Sequence, residues 1–255
     1  MYAMITTRCN MECPHCCFSC TAKGRDMGME TFKKVVRLTK EHYSPLCIGG
    51  GEPTLHPLFK DMLMHAVWEL AEISAGNEYP AVSLVTNGSI TPIALTLAQM
   101  AKEGVIRCNL SQDGYHDDID AAVVKAFERP VCDTYDKRDY RQYNTTAPDR
   151  IQRMGRAKTW GSISQTEGCC GGVMTTPGGV LYPCMCRRKS IGTVDNPHSL
   201  VREHFTENIC IGSVSYKEKV LPAIKEKHKE KQWVVSHITD KQEKETANNL
   251  EPCQV

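Results

Sequence analysis

The sequence predicts an α/β fold built on a parallel sheet, and three observations predict it. Strand-like and helix-like segments alternate four times before Glu128. Each strand-like segment runs straight into a polar or glycine-rich motif. The 14 cysteines fall into two dense groups and a few singles, rather than an even framework. The alternation alone admits either a doubly wound or a barrel-like sheet.

The elements follow in order. "YAMITT" (2–7) reads as a short strand. "METFKKVVRLTKEHY" (29–43) places Phe32, Val35, Val36 and Thr39 on one helical face. "PLCI" (45–48) is a brief apolar strand that leads into "GGGEP". "PLFKDMLMHAVWELAEI" (57–73) repeats Phe59, Met62, Leu63, Ala66, Val67 and Leu70 at helical spacing and predicts a single helix. "AVSLVTNG" (81–88) is a strand entering a turn. "PIALTLAQMAKEG" (92–104) opens on a helix-start proline and closes on glycine. "VIRCNLSQDG" (105–114) is a fourth strand, and "DDIDAAVVKAFER" (117–129) a helix with acidic residues in its first turn. Residues 130–150 are polar and read as a connection. "GGVMTTPGGVLYPCMC" (171–186) reads as a hairpin turning at Pro177-Gly178-Gly179. The charged tail is expected to be helical at first and disordered over its last dozen residues. There is no internal repeat.

Composition narrows the function classes. At 255 residues the chain can bury one large core, or a main domain with a small appendage. The formal net charge of +1 predicts neither a nucleic-acid nor a membrane partner. No run of about 18 apolar residues suggests a membrane helix. The start "MYAMITTRC" lacks a basic leader and an apolar region, so a cytoplasmic protein with reduced thiols is expected. In that setting 14 cysteines point to metal rather than disulfides.

The first cysteine group is "TTRCNMECPHCCFSC" (6–20). Cys9, Cys13 and Cys16 have the spacing C-x3-C-x2-C. Three thiolates can hold three irons of a [4Fe–4S] cubane, whose usual complement is four, and leave one iron open. Two other readings use the same residues. Cys13, Cys16, Cys17 and Cys20 could form a four-thiolate zinc knot. Cys13-Pro14-His15-Cys16 could form a redox pair. Beyond this loop, Gly50 and Gly51 permit close backbone approach to a ligand, and the Glu52 carboxylate suits an ammonium group. Asn87 is a turn residue or a ligand contact. Ser111 and Asp113 suit ribose hydroxyls or a helix cap. All four motifs lie at C-terminal strand ends, the edge where parallel α/β folds bind ligands.

Together, Cys9, Cys13 and Cys16, Gly50-Gly51-Glu52-Pro53, Asn87, and Ser111-Gln112-Asp113-Gly114 resemble the radical S-adenosylmethionine (SAM) enzymes over roughly residues 1–128. The resemblance implies a partial (β/α)6 barrel, here abbreviated because the span from Gly114 to Gly155 is short for the last strands. It implies an open-iron [4Fe–4S] cluster that binds the amino and carboxylate groups of SAM. Gly50, Gly51 and Glu52 would hold the methionine amino group. Asn87, Ser111 and Asp113 would line the carboxylate and ribose. His15 stands where the family usually has an aromatic residue packed near the adenine. A low-potential electron donor such as flavodoxin or ferredoxin is the implied partner. Cys17 and Cys20 receive no role.

The second group, "CCGGVMTTPGGVLYPCMC" (169–186), resembles the opening of a SPASM or twitch extension, a module that binds an auxiliary cluster. "MGRA" (154–157) resembles the segment that joins such an extension to the barrel. Candidate ligands of one auxiliary [4Fe–4S] cluster are Cys169, Cys170, Cys184, Cys186 and Cys210; the alternatives are a small zinc site or a hairpin without a cluster. The expected domains are a barrel over 1–158, the auxiliary extension over 159–215 and the tail over 216–255. Three functions compete: radical modification of a peptide, radical modification of a nucleotide or nucleic-acid base, and a zinc-stabilised binding module. The nucleotide reading rests on Tyr135, Tyr140 and Tyr143 interleaved with Lys137, Arg138, Arg141, Arg150, Arg153, Arg156 and Lys158. Cys108, Cys132 and Cys210 are candidate hydrogen donors.

Overall fold

Four short, largely buried strands build the centre of the molecule. Ala3 and Ile5 of β1 (Tyr2–Thr6), Leu46 and Ile48 of β2 (Leu46–Gly50), Val82 and Leu84 of β3 (Val82–Thr86), and Cys108 and Leu110 of β4 (Arg107–Ser111) are all buried in one core. Successive side chains of a strand point to opposite faces, so these eight line the helix-covered side. The structure is a computed structural model describing residues 1–128, 138–144, 151, 154–159, 171–185, 187 and 190–197. The chain divides into two units, Met1–Asn208 and Ile209–Val255, and all described residues lie in the first.

The helices cover that face through the stripes read from the sequence. In α1 (Met29–Glu41) the residues Phe32, Val35, Val36 and Thr39 are buried. The helix predicted over 57–73 is two: α2 (Phe59–Glu69) and α3 (Ala71–Ala75). The break falls at Leu70, which leaves helical geometry at φ −103° and ψ 13°, and Leu70 and Ile73 both reach the core. In α4 (Thr91–Lys102), Pro92 sits in the first turn as the sequence suggests. The last predicted helix starts later than its acidic run. Asp120 accepts a hydrogen bond from the Ala122 amide at 2.8 Å and caps α5 (Ala121–Phe127) from outside.

The sheet is parallel in sequence order from β1 to β4 and continues to β5 (Arg141–Asn144). This is the α/β architecture expected, with five strands in barrel order among the described residues. The hairpin at Pro177-Gly178-Gly179 also forms, between β6 (Gly171–Thr175) and β7 (Leu181–Cys184), with Gly179 at φ +76°. Its docking was not foreseen: β6 pairs in parallel with the free side of β1, through Tyr2↔Met174 and Ala3↔Thr175. The full order is β5-β4-β3-β2-β1-β6-β7. β1 is therefore an inner strand, with the first cysteine loop at its C-terminal end. Among the described residues no helix is long and apolar enough to cross a membrane.

Candidate active site

The loop that leaves β1 is stitched shut at its base. Thr6 Oγ1 donates to Asp26 at 2.6 Å, and the Arg8 guanidinium pairs with Asp26 at 2.7 Å and donates to the Leu55 carbonyl at 2.9 Å. The Thr7 amide donates to the Arg25 carbonyl, and the Cys9 amide to the Thr21 carbonyl, both at 2.9 Å. These ties fold the thirteen positions 9–21 into a compact ring. Inside it, Cys9, Met11 and Cys20 are buried together, with Cys13, Cys16, Phe18 and Ile119 packed against them. Burial pushes the Cys9 thiol up and the Cys13 thiol to about 11. Cys16 goes the other way, because the Cys20 thiol hydrogen-bonds to it and stabilises its thiolate. Cys20 is raised by the same bond.

The donor set discriminates between metals. Tetrahedral zinc, with Zn–S near 2.3 Å, needs sulfurs about 3.8 Å apart. Among the described residues, the three side chains whose ligand atoms all lie within 4.8 Å of one another are His15, Asp113 and His116, not three thiols. The thiols share one apolar pocket without that tight convergence, which suits a larger inorganic core. Two buried polar atoms beside them, His15 Nδ1 and Arg156 Nη2, have no partner within the protein, as expected of a site shaped for a further group. The residues present therefore fit an iron–sulfur cluster with a polar ligand beside it.

One wall of the site comes from the ends of β2 and β3. The Gly51 amide donates to the Thr6 carbonyl and the Glu52 amide to the Arg8 carbonyl, both at 2.8 Å. A Cβ on Gly50 would fall 2.2 Å from the Thr6 oxygen, and one on Gly51 would fall 2.1 Å from the Arg8 oxygen. These glycines permit close approach to the chain that carries Cys9. Glu52 is fully buried, and both its oxygens are engaged. Oε1 accepts from the Thr54 amide (3.1 Å), the Thr54 hydroxyl (2.6 Å) and the Thr86 hydroxyl (2.8 Å), and Oε2 accepts from the Asn87 amide (2.6 Å). The carboxylate ties the end of β2 to the end of β3, and what the motif presents to a ligand is backbone. Asn87, buried, reaches the cysteine loop: its Nδ2 lies 3.9 Å from Cys9 Sγ and donates to Asn10 Oδ1 at 3.1 Å.

The opposite wall follows β4. Ser111 is its last residue, and Asp113 turns back to accept from the Tyr115 amide at 2.9 Å and bond His116 Nδ1 at 2.8 Å. His15 packs against this turn, with ring centroids 5.1 Å from Tyr115 and 5.0 Å from His116. Its Nε2 stands 3.9 Å from Asp113, too far for a hydrogen bond. Burial holds the His15 imidazole below its ordinary range, against the pull of Asp113. Thus Cys9, Cys13, Cys16, His15, Asn87 and Asp113 converge. Asn10, Tyr115, His116 and Arg156 also belong to the site and were not singled out for it. Only "MGRA", around Arg156, carried a signal.

The second cysteine group is mostly outside the described residues. Cys169, Cys170, Cys186 and Cys210 lie there, as do Cys132 and the tail. Cys184 is buried at the end of β7, in register with Gly171. Cys108 is buried on the helix-covered face of β4, away from the sheet side that carries Asn109 and Ser111. The basic and aromatic stretch is also partly described. Tyr140 donates to the Glu78 carbonyl, Arg141 binds Asp139 and the Ala126 carbonyl at 2.7 Å each, and Arg156 binds the cysteine loop. These three residues hold the fold together.

Comparison with known proteins now adds to the geometry. A family model described as Radical SAM superfamily matches residues 4–147. The solved structure of BtrN in complex with AdoMet and 2-DOIA resembles this chain with a TM-score of 0.50 at 15% identity, over 80% of this chain and 82% of that one. Native anSMEcpe with bound AdoMet and Cp18Cys peptide resembles it with a TM-score of 0.51 at 15% identity, over 81% and 79%. At such identities the likeness is one of fold. No curated protein matches the chain.

Proposed function

This chain belongs to the radical SAM superfamily and is an enzyme of that kind, and from that premise we propose that it abstracts hydrogen from a peptide substrate to crosslink, thioether-link or epimerise it. The observation that carries the reading is the meeting of the two walls: His15, one residue before Cys16, lies against the Asp113 turn at the end of β4. A cysteine loop and a polar strand-end surface thereby face one pocket.

A [4Fe–4S] cluster, when bound, would supply the single low-potential electron for reductive cleavage of the SAM sulfonium. The chain's own residues hold and orient these groups. Cys9, Cys13 and Cys16 would ligate three irons. The backbone of Gly50 and Gly51 would receive the methionine amino group, with Glu52 acting through the turn it holds. Asn87, Ser111 and Asp113 would line the carboxylate and ribose, and His15 would stack near the adenine. The apolar packing of Met11, Phe18 and Ile119 around the thiols keeps water from the reactive centre. An auxiliary cluster on Cys184, Cys186, Cys210 and one of Cys169 or Cys170 would complete the enzyme, and a flavodoxin or ferredoxin would reduce it in the cytoplasm.

Support for a peptide substrate is the fold likeness to anSMEcpe, whose structure holds the Cp18Cys peptide. BtrN with 2-DOIA marks the alternative of a small molecule. For a nucleotide, three of the described residues of the basic stretch, Tyr140, Arg141 and Arg156, are already engaged within the protein.

The test is an anaerobic reconstituted reaction with peptide, nucleotide and 2-DOIA arms, following 5′-deoxyadenosine by mass spectrometry. Cys13→Ala should abolish its formation. Cys20→Ser should retain it, because Cys20 is not a ligand in this reading. Cys184→Ala should keep part of the uncoupled cleavage while substrate turnover stops. Product in the nucleotide or 2-DOIA arm alone would overturn the peptide assignment.

A further inference from the structure

Arg156 enters the site from far away in the sequence. It lies in a short 3-10 turn, Gly155–Thr159, yet makes three hydrogen bonds into the first cysteine loop. Its Nε donates to the Cys13 carbonyl at 2.8 Å, its Nη1 to the Cys20 carbonyl at 2.7 Å, and its backbone amide to the Cys16 carbonyl at 3.0 Å. The approach is close. Gly155 sits at φ +54°, and a Cβ there would fall 2.3 Å from the Cys16 oxygen and 2.6 Å from Cys17 backbone atoms. Within the loop, single turns give the Cys13 carbonyl a donor in the Cys16 amide (3.1 Å) and the Cys16 carbonyl one in the Ser19 amide (3.3 Å), and Arg156 adds a second donor to each and reaches the Cys20 carbonyl as well. One guanidinium serves two of them because its donors form a rigid fork, which a lysine ammonium lacks.

The fork is not fully used. Nη2 is shut off from solvent and has no partner within the protein. A buried guanidinium donor left unpaired is costly, so an acceptor belongs beside it. The location indicates which kind. Its other donors end on the Cys13, Cys16 and Cys20 carbonyls, in the one loop that carries all three candidate iron ligands. The acceptors natural to that centre are sulfurs.

We infer that Arg156 is a positioning residue for the cluster: it fastens the loop through the Cys13, Cys16 and Cys20 carbonyls and donates its remaining Nη2 to a sulfur of the bound iron–sulfur core. The inference rests on the cluster reading given above. It makes the "MGRA" segment a latch on the first cluster as well as a joint toward the hairpin. A fixed positive charge beside the core favours its reduced state, which carries one more negative charge.

The experiment compares anaerobically reconstituted wild type, Arg156→Gln and Arg156→Lys. Thermal melts check folding, a chelator measures the rate of iron loss, and a potentiometric titration follows the EPR signal that changes on adding SAM. Arg156→Gln should lose iron roughly tenfold faster, the equivalent of one charged hydrogen bond, and its midpoint potential should move to more negative values. Arg156→Lys keeps the charge but not the fork, so its potential should stay near wild type while iron loss still accelerates. An unchanged potential in Arg156→Gln, or an equal shift in both variants, overturns the inference. If Arg156→Gln does not fold, Arg156→Lys decides by its iron loss: faster supports the inference, unchanged overturns it. A wild type without iron and sulfide would overturn the cluster reading as well, whereas a cluster-bearing wild type with indistinguishable variants overturns only the role of Arg156.

Discussion

The two walls of the site are built on different principles. On the Cys9 side, the Glu52 carboxylate accepts four hydrogen bonds from Thr54, Thr86 and Asn87, and Gly50 and Gly51 lie against the backbone of Thr6 and Arg8. On that wall the Glu52 carboxylate is saturated and sets the position of Cys9, and what is left to face a ligand is backbone. On the His15 side, rings meet tilted or edge-on at about 5 Å, His15 stops 3.9 Å short of Asp113, and His15 Nδ1 has no partner. Sequence motifs of equal apparent weight thus divide into those that build the site and those that face what enters it. Unsatisfied buried atoms, rather than motif membership, mark the second kind.

Glu52→Gln should break this picture most sharply if it is wrong. An amide in place of the carboxylate turns one acceptor oxygen into a donor that faces either the Asn87 amide or the threonine donors. Burial raises the Glu52 carboxyl above its usual range, so removing the charge relieves some desolvation. The mismatched donors outweigh that relief, at roughly 2–4 kcal/mol net. A fall in melting temperature of roughly 5–15 °C is expected, with reduced iron content. A variant that melts like wild type but binds SAM poorly would move Glu52 to the ligand-facing class.

The glycines sharpen the same contrast with a smaller effect. Gly51→Ala forces a Cβ to within 2.1 Å of the Arg8 carbonyl oxygen, whereas a Cβ on Gly114, beside the opposite wall, meets nothing within 4 Å. Gly51→Ala should cost roughly 1–3 kcal/mol and loosen iron binding, because Cys9 must shift with its neighbour. Gly114→Ala should stay within about 0.5 kcal/mol. Comparable losses in denaturant unfolding of both variants would mean that the two walls do not differ as described.

Much of this was legible in the sequence because it is local. The C-x3-C-x2-C spacing, the alternating strands and the turn at Pro177-Gly178-Gly179 all depend on residues within a few positions of one another. What escaped is long-range or depends on saturation. Arg156 meets Cys13 and Cys20 across 143 and 136 positions. The pairing of β6 with β1 joins residues over 170 positions apart, such as Tyr2 and Met174. The break at Leu70 interrupts an unbroken apolar stripe, and periodicity does not record backbone geometry at one residue. A carboxylate after a strand, as Glu52 is, suits an ammonium. Only the structure shows that Thr54, Thr86 and Asn87 already surround it. Tyr115 and His116 lie just past the Ser111–Gly114 motif, and only the fold brings their rings against His15.

The smallest expected effect concerns His15, which occupies the position where related enzymes usually carry an aromatic residue near the adenine. Two roles can be separated there. If the imidazole acts as a flat surface, then His15→Phe keeps the tilted ring contact with Tyr115 and adds apolar contact to a bound purine, and SAM affinity should change by no more than about twofold, since one aromatic contact is worth about 0.5–1.5 kcal/mol and is retained. If instead its partnerless Nδ1 hydrogen-bonds the ligand, His15→Phe and His15→Ala should weaken binding alike, by roughly tenfold or more. Thermal stability should be near wild type in both variants, because His15 makes no hydrogen bond within the protein that either would break. Calorimetric titration of SAM into the cluster-loaded proteins separates the two. The geometry favours stacking, since the ring already lies beside Tyr115 and His116 in a loose arrangement that a third flat group can complete. Affinity lost equally in both variants would reassign His15 from a surface to a donor, and the His15 wall would then recognise its ligand by hydrogen bonds, as the Glu52 wall recognises its own backbone.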